Sequence, residues 1–141
     1  MLYEPTLVQP MRDELTCLGV RELLTAEDVD QALQESKEIT MVVVNSICGC
    51  AARNARPAVA LAMHHRYQPD HVVTVFAGQD IGATARAREY FMGVRPSSPS
   101  IALLGNGELL FMLERHQIEG RKTEEIAADL TGAYDRFCVT A

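Results

Sequence analysis

The chain has 141 residues, close to the usual size of one domain, and it can bury roughly two-thirds of the surface its unfolded form would expose. With 48% hydrophobic and 23% charged residues it is an ordinary globular composition, which excludes a disordered chain, and there is no G-x-y repeat to suggest collagen. Lys and Arg number 13 against 19 Asp and Glu, a net charge of −6; the only basic cluster, Arg53 with Arg56, is too small for a phosphate-reading stripe, so nucleic acid is excluded as an expected partner.

The pattern along the chain predicts one domain over 1–141. Met11 to Leu18 reads as a short helix stopped by Gly19. Thr25 is a good N-cap, with Asp28 three residues on, and helical periodicity follows through Val29 and Leu33 to about Lys37. Ile39 to Val44 is a continuous β-branched run, the pattern of a central strand covered on both faces. Asn45-Ser46 ends it, Cys48-Gly49-Cys50 follows, and an Ala-rich helix is expected from Ala51 to about His65, with Pro57 tolerated near its first turns or kinking it.

His71 to Phe76 is a second buried strand, Gly78-Gln79-Asp80 a loop, and Ala83 to Phe91 a helix ended by Gly93. Pro96-Ser97-Ser98-Pro99 breaks the chain before a strand at Ser100 to Leu104. Asn106-Gly107 is a two-residue hairpin signal leading to Leu109 to Leu113. Thr123 is expected to cap a last helix with Ile126, Ala127, Leu130, Ala133, Tyr134 and Phe137 on one face. The resulting order, β–α–β–α–β–β–α after the N-terminal helices, is that of an α/β thioredoxin-like fold: a central mixed four-stranded sheet flanked by helices, with extra N-terminal helices.

No apolar run reaches the ~18 residues that span a bilayer. Met1 to Asp13 carries Glu4 and two prolines and lacks a signal-peptide core, so a soluble cytoplasmic protein without a membrane partner is expected. Four cysteines in a reducing compartment point away from structural disulfides.

Cys48 and Cys50 at i and i+2 sit at a strand-to-helix junction, where unpaired N–H groups and the helix dipole favour a thiolate. Arg53 and Arg56 are expected to add to that field. Cys48 is the expected nucleophile and Cys50 the resolving thiol. A bridge between them closes a tight, strained ring, easy to reduce, and Gly49 is expected to supply backbone angles denied to other residues. A metal site needs about four ligands. Cys17, Cys138, His64, His65, His71 and His116 show no second C-x-x-C or H-x-x-x-H, so no metal is assigned, and Cys17 and Cys138 read as structural thiols.

In thioredoxin-like folds a cis-proline opens the strand antiparallel to the active-site strand, facing the nucleophile. Ser98-Pro99 stands at the matching place, which leaves the Ser98 backbone to pair with a substrate beside Cys48. Gln79 and Asp80 are expected on the same rim. Arg115-His116 and Glu119-Gly120-Arg121 come toward that edge and suit an anionic thiol.

Over nearly its whole length the sequence resembles the bacilliredoxins, through MRDELTCLGVRELLT, VNSICGCAARNARPA, FAGQD, PSSPSIALL and RHQIEGR. The resemblance implies a thioredoxin-like enzyme that removes bacillithiol, a low-molecular-weight thiol, from mixed disulfides on cytoplasmic proteins, with weak disulfide reductase or isomerase activity. It implies Cys48 and Cys50 in the roles above, thiolated client proteins and a recycling reductase as partners, and bacillithiol as co-substrate with no tightly bound cofactor. The family pattern places a glycine after CGCAA, where this chain has Arg53. The alternatives are a general protein disulfide isomerase or reductase and a non-enzymatic thiol- or metal-binding module.

Overall fold

A computed structural model describes residues 2–34 and 37–138. Five strands form one mixed sheet: β1 (Arg21–Glu22), β2 (Ile39–Asn45), β3 (His71–Phe76), β4 (Ser100–Gly105) and β5 (Glu108–Leu113), in the order β1-β3-β2-β4-β5. β1 and β2 each pair with β3 in parallel, and β4 runs antiparallel to both β2 and β5. The expected four strands are therefore joined by a fifth. β1 spans two polar residues, Arg21 and Glu22, too short for any periodicity, and only its pairing with Val73 and Thr74 makes it a strand.

The helices are α1 (Pro5–Thr16), α2 (Ala26–Leu33), α3 (Arg56–Ala62), α4 (Ile81–Glu89) and α5 (Thr123–Phe137). α1 begins well before Met11 because Pro5 opens it, a position where the missing N–H costs nothing. Val8 and Leu15, two turns apart, are its buried residues, and Gly19 at φ +92° closes the segment. Thr25 caps α2 by accepting the Asp28 N–H at 3.1 Å. That helix stops at Leu33, since Gln34 is already extended; the rest of the expected run toward Lys37 crosses residues 35–36, which lie outside the described residues. Lys122, not Thr123, is the N-cap of α5, its N–H bonded to Glu125 Oε1 at 3.0 Å. α4 begins at Ile81 and ends at Glu89, two residues earlier at each end than the expected span.

Sequence alternation sorts the core into two halves. Met41 and Val43 of β2 face one way, onto Ile101, Leu103, α3 and α5. Val42 and Val44 face the other, onto Val73, Val75, α2 and α4. β2 is thus covered on both faces, which is why it reads as an unbroken apolar run. Each such fully buried aliphatic contributes about 1.5–3 kcal/mol. Asn106 (φ 55°) and Gly107 (φ 77°) turn β4 into β5, the paired positive angles that Asn-Gly tolerates. The sheet thereby delivers the ends of β2 and β3 and the start of β4 to one edge, where the two neighbouring cysteines lie.

Candidate active site

Asn45 ends β2, and within five residues the chain passes from strand to helix. The Cys48 carbonyl accepts the first helical bonds, from Ala51 N at 3.0 Å and Ala52 N at 3.3 Å, so Cys48 stands at the cap of the helical segment. That segment is not the single α-helix expected to His65. Ala51–Ala55 form a π turn in which the Arg56 N–H bonds back five residues to Ala51 O, and α3 then runs only to Ala62. Pro57 accounts for the irregularity: it has no N–H for the Arg53 carbonyl four residues back, and its ring crowds that oxygen. The Arg53 carbonyl accepts the Thr123 hydroxyl instead, at 3.1 Å.

Cys48 and Cys50 are both half-buried and unbridged. Cys48 Sγ accepts the Cys50 N–H at 3.3 Å. Burial of that sulfur opposes ionisation, yet it is outweighed by the Cys50 N–H and thiol, the Arg115 guanidinium and the Ala51 N–H, which together bring Cys48 below the ordinary thiol range. Cys50 moves the other way. Its burial, the neighbouring Cys48 sulfur and the Glu119 carboxylate outweigh the opposing pull of Arg115. The two thiols are therefore unequal: ionisation is eased at Cys48 and opposed at Cys50.

Arg115 takes the place expected for Arg53 and Arg56. Arg53 is exposed, and its guanidinium lies across Gly49, where an added Cβ would come within 2.8 Å of Arg53 Nη2. Gly49 does not adopt the left-handed angle expected of it, and the contact is with the mobile end of an exposed side chain that can swing aside. Arg56 is turned inward and buried.

The Ser98–Pro99 peptide is cis, as expected. Ser100 pairs with Val44, so this turn lies beside the end of β2. Arg115 holds it, its N–H bonding to Ser97 Oγ at 3.2 Å and Nη1 to the Ser98 carbonyl at 3.3 Å, while Nε pairs with Glu119 at 3.0 Å. The Ser98 carbonyl is therefore already engaged by the chain's own arginine. His116 is exposed in the short 3-10 turn Arg115–Gln117.

Gln79 and Asp80 follow β3 on the same edge but are engaged elsewhere. Gln79 pairs with both the N–H and the carbonyl of Tyr3, at 2.8 and 3.1 Å. Asp80 takes two bonds from Arg12, at 2.9 and 2.8 Å. Their polar atoms fasten the N-terminal segment rather than facing an open cleft. Sequence reasoning missed Asn45 and Ser46, whose signal was the abrupt polar pair ending an apolar strand.

Among the remaining thiols and imidazoles, Cys138 is buried in the core, and burial with Asp70 nearby pushes it up to about 11. Cys17 is exposed, against the structural role expected of it, because it falls just past the end of α1. His65 pairs with Asp135 at 2.7 Å and His71 with Glu38 at 3.0 Å. Among the described residues no three His, Cys, Asp or Glu side chains gather to hold a metal, and no helix is long and apolar enough to cross a membrane.

Solved thioredoxins share this fold. That of Malassezia sympodialis matches with a TM-score of 0.57 at 13% identity, covering 85% of this chain and 91% of its own. That of Fasciola hepatica gives 0.56 at 15%, covering 84% and 99%. The family described as Disulphide isomerase matches residues 3–138. A bacilliredoxin of Salinibacter ruber (strain DSM 13855 / M31) is 51% identical over 98% of this chain and 82% of its own length. One from Geobacillus kaustophilus (strain HTA426) is 50% identical over 96% and 94%.

Fold and relatives together support a thiol–disulfide oxidoreductase with a thioredoxin fold. Within that class the chain belongs to the bacilliredoxin family.

Proposed function

We propose that the protein removes bacillithiol from mixed disulfides on cytoplasmic client proteins, with Cys48 as nucleophile and Cys50 as resolving thiol. The reading rests above all on the asymmetry of the two thiols: Cys48 accepts the Cys50 N–H and feels Arg115, whereas Cys50 is kept protonated. The Cys48 thiolate attacks the bacillithiol sulfur. A Cys48–bacillithiol disulfide forms as the client–bacillithiol bond breaks, and the client leaves as a thiolate that takes up a proton. Cys50 then gives its proton to solvent and attacks Cys48 Sγ, forming the Cys48–Cys50 bond and expelling bacillithiol as a thiolate. Two electrons from a dithiol or flavin-type reductase return the pair to its starting state.

Incubating the protein with a bacillithiolated client tests this. Cys48→Ser abolishes release, and Cys50→Ser accumulates an adduct of bacillithiol on Cys48 that intact-mass measurement resolves. Unchanged release by both variants overturns the reading. A general disulfide isomerase is the second reading, favoured by the description of the matching family. It predicts faster rescue of a scrambled disulfide protein than of a bacillithiolated one.

A further inference from the structure

Arg56 does not act on the Cys48 sulfur, yet its side chain is only 3% exposed and lies beneath the loop that carries it. Nη1 donates to Asn45 Oδ1 at 2.9 Å and to the Ser46 carbonyl at 3.0 Å, and Nη2 meets Glu14 Oε2 at 3.2 Å. Asn45 Oδ1 also accepts the Ser46 N–H at 2.9 Å, while its amide donates to Met11 O at 3.1 Å. Ser46 Oγ in turn accepts the Cys48 N–H at 3.0 Å. An unbroken series of short contacts therefore runs from Arg56 through Asn45 and Ser46 to the Cys48 backbone.

This arrangement is costly for the fold. A buried cation is tolerated only when its donors are satisfied, and Arg56 Nε is buried with no partner. Among the described residues the one carboxylate bonded to the guanidinium is Glu14, which is about half exposed. Arg56 is the first residue after the π turn, and from there its guanidinium reaches Asn45 and Ser46 at the end of β2. A residue kept only for stability would do better as a well-packed aliphatic.

We infer that Arg56 is a positioning residue for the reaction: through Asn45 and Ser46 it fixes the 45–48 turn so that the Cys48 sulfur meets the Cys50 N–H. This rests on Cys48 being the reactive thiol. Asn45 suits the intermediary role because its neutral amide oxygen accepts from both the guanidinium and the Ser46 N–H, whereas a carboxylate there would place a negative charge at the head of the loop.

The pH dependence of iodoacetamide alkylation at Cys48, followed by peptide mass spectrometry on the full chain, tests the inference. In Arg56→Lys the alkylation midpoint moves up toward ordinary thiols, and the rate at pH 7 falls ~3–10-fold. Arg56→Gln falls further. Ser46→Ala, which removes one hydroxyl and keeps the fold even if the Arg56 variants unfold, gives a smaller shift in the same direction. Combined with Arg56→Lys it gives less than the product of the two effects, because both act through one turn. A lowered melting temperature with an unchanged midpoint in folded Arg56 variants and in Ser46→Ala overturns the inference. Wild-type Cys48 reacting no faster than free cysteine overturns the functional reading as well, so the two failures are distinguishable.

Discussion

Two loops leave the same edge of the sheet side by side, one after β2 and one after β3, and each is tied down by an arginine. After β3, Asp80 takes both terminal nitrogens of Arg12, which also stacks on Phe76 at 5.2 Å. After β2, Asn45 takes Arg56. The first pairing brings charge to charge; the second sets Arg56, whose other terminal nitrogen meets the half-exposed Glu14, against an amide dipole at the head of the loop. An arginine paired with a carboxylate is an anchor, and the β3 loop serves to hold α1 and Tyr3 against the sheet. An arginine bound through an amide fixes a backbone without placing an anion beside a sulfur that must itself become one. The two neighbouring loops thus differ in their anchoring group, the Asp80 carboxylate after β3 and the Asn45 amide at the end of β2.

The sharpest break in this comparison lies between Cys48→Ser and Gln79→Ala. Removing the nucleophile lowers turnover on a bacillithiolated client by about 10³-fold or more, as loss of an attacking group does elsewhere. Gln79→Ala, which frees only the Tyr3 backbone, leaves turnover within about twofold. A large loss in Gln79→Ala, measured as released bacillithiol per minute, would return the β3 loop to the substrate-contact role expected from its sequence.

Next in size is the fastening itself. Asp80→Asn leaves a largely buried Arg12 with Glu22 at 3.7 Å as its remaining acidic partner, and costs about 2–4 kcal/mol of stability by urea unfolding. The alkylation rate of Cys48 stays at the wild-type value. If it falls with stability, the two loops are one unit and not two.

Much of this frame is legible in the sequence. β2 and β3 announce themselves by β-branched runs, β4 and β5 by short apolar stretches on either side of Asn106-Gly107, and the face of α5 by its spacing. What stays hidden is whatever depends on partners far along the chain. β1 exists only because β3 pairs with it. The π turn follows from Pro57 meeting the Arg53 carbonyl, but its rescue by Thr123 lies 70 residues away. Charge at the thiol shows the same limit: Arg53 and Arg56 are near in sequence, while Arg115, just past the second strand of the hairpin, is the arginine that acts on the sulfur. Sequence proximity suggested the right kind of residue and the wrong copy of it.

Arg115 is therefore the smaller lever on the reactive loop. Arg115→Gln removes a charge that is well solvated, so the Cys48 alkylation midpoint rises and the rate at pH 7 falls only ~3-fold. Raising ionic strength reproduces part of the loss in the wild type and none of it in the variant. A variant still sensitive to salt would assign the field to another group.

The smallest effect concerns the cysteine outside both loops. Burial carries Cys138 from an ordinary 9.0 up to about 11. Between those values the folded chain keeps a proton that the unfolded chain has released, so stability declines as pH rises through this window and is unaffected by the thiol below it. Cys138→Ala costs about 1 kcal/mol of packing at pH 8. The wild-type advantage in urea unfolding then shrinks from pH 9 and reverses on the way to pH 11, because only the wild type carries the titrating thiol. A gap constant over that range would mean that Cys138 ionises as freely folded as unfolded, and so meets water that its place beside Tyr134 at the end of α5 denies it.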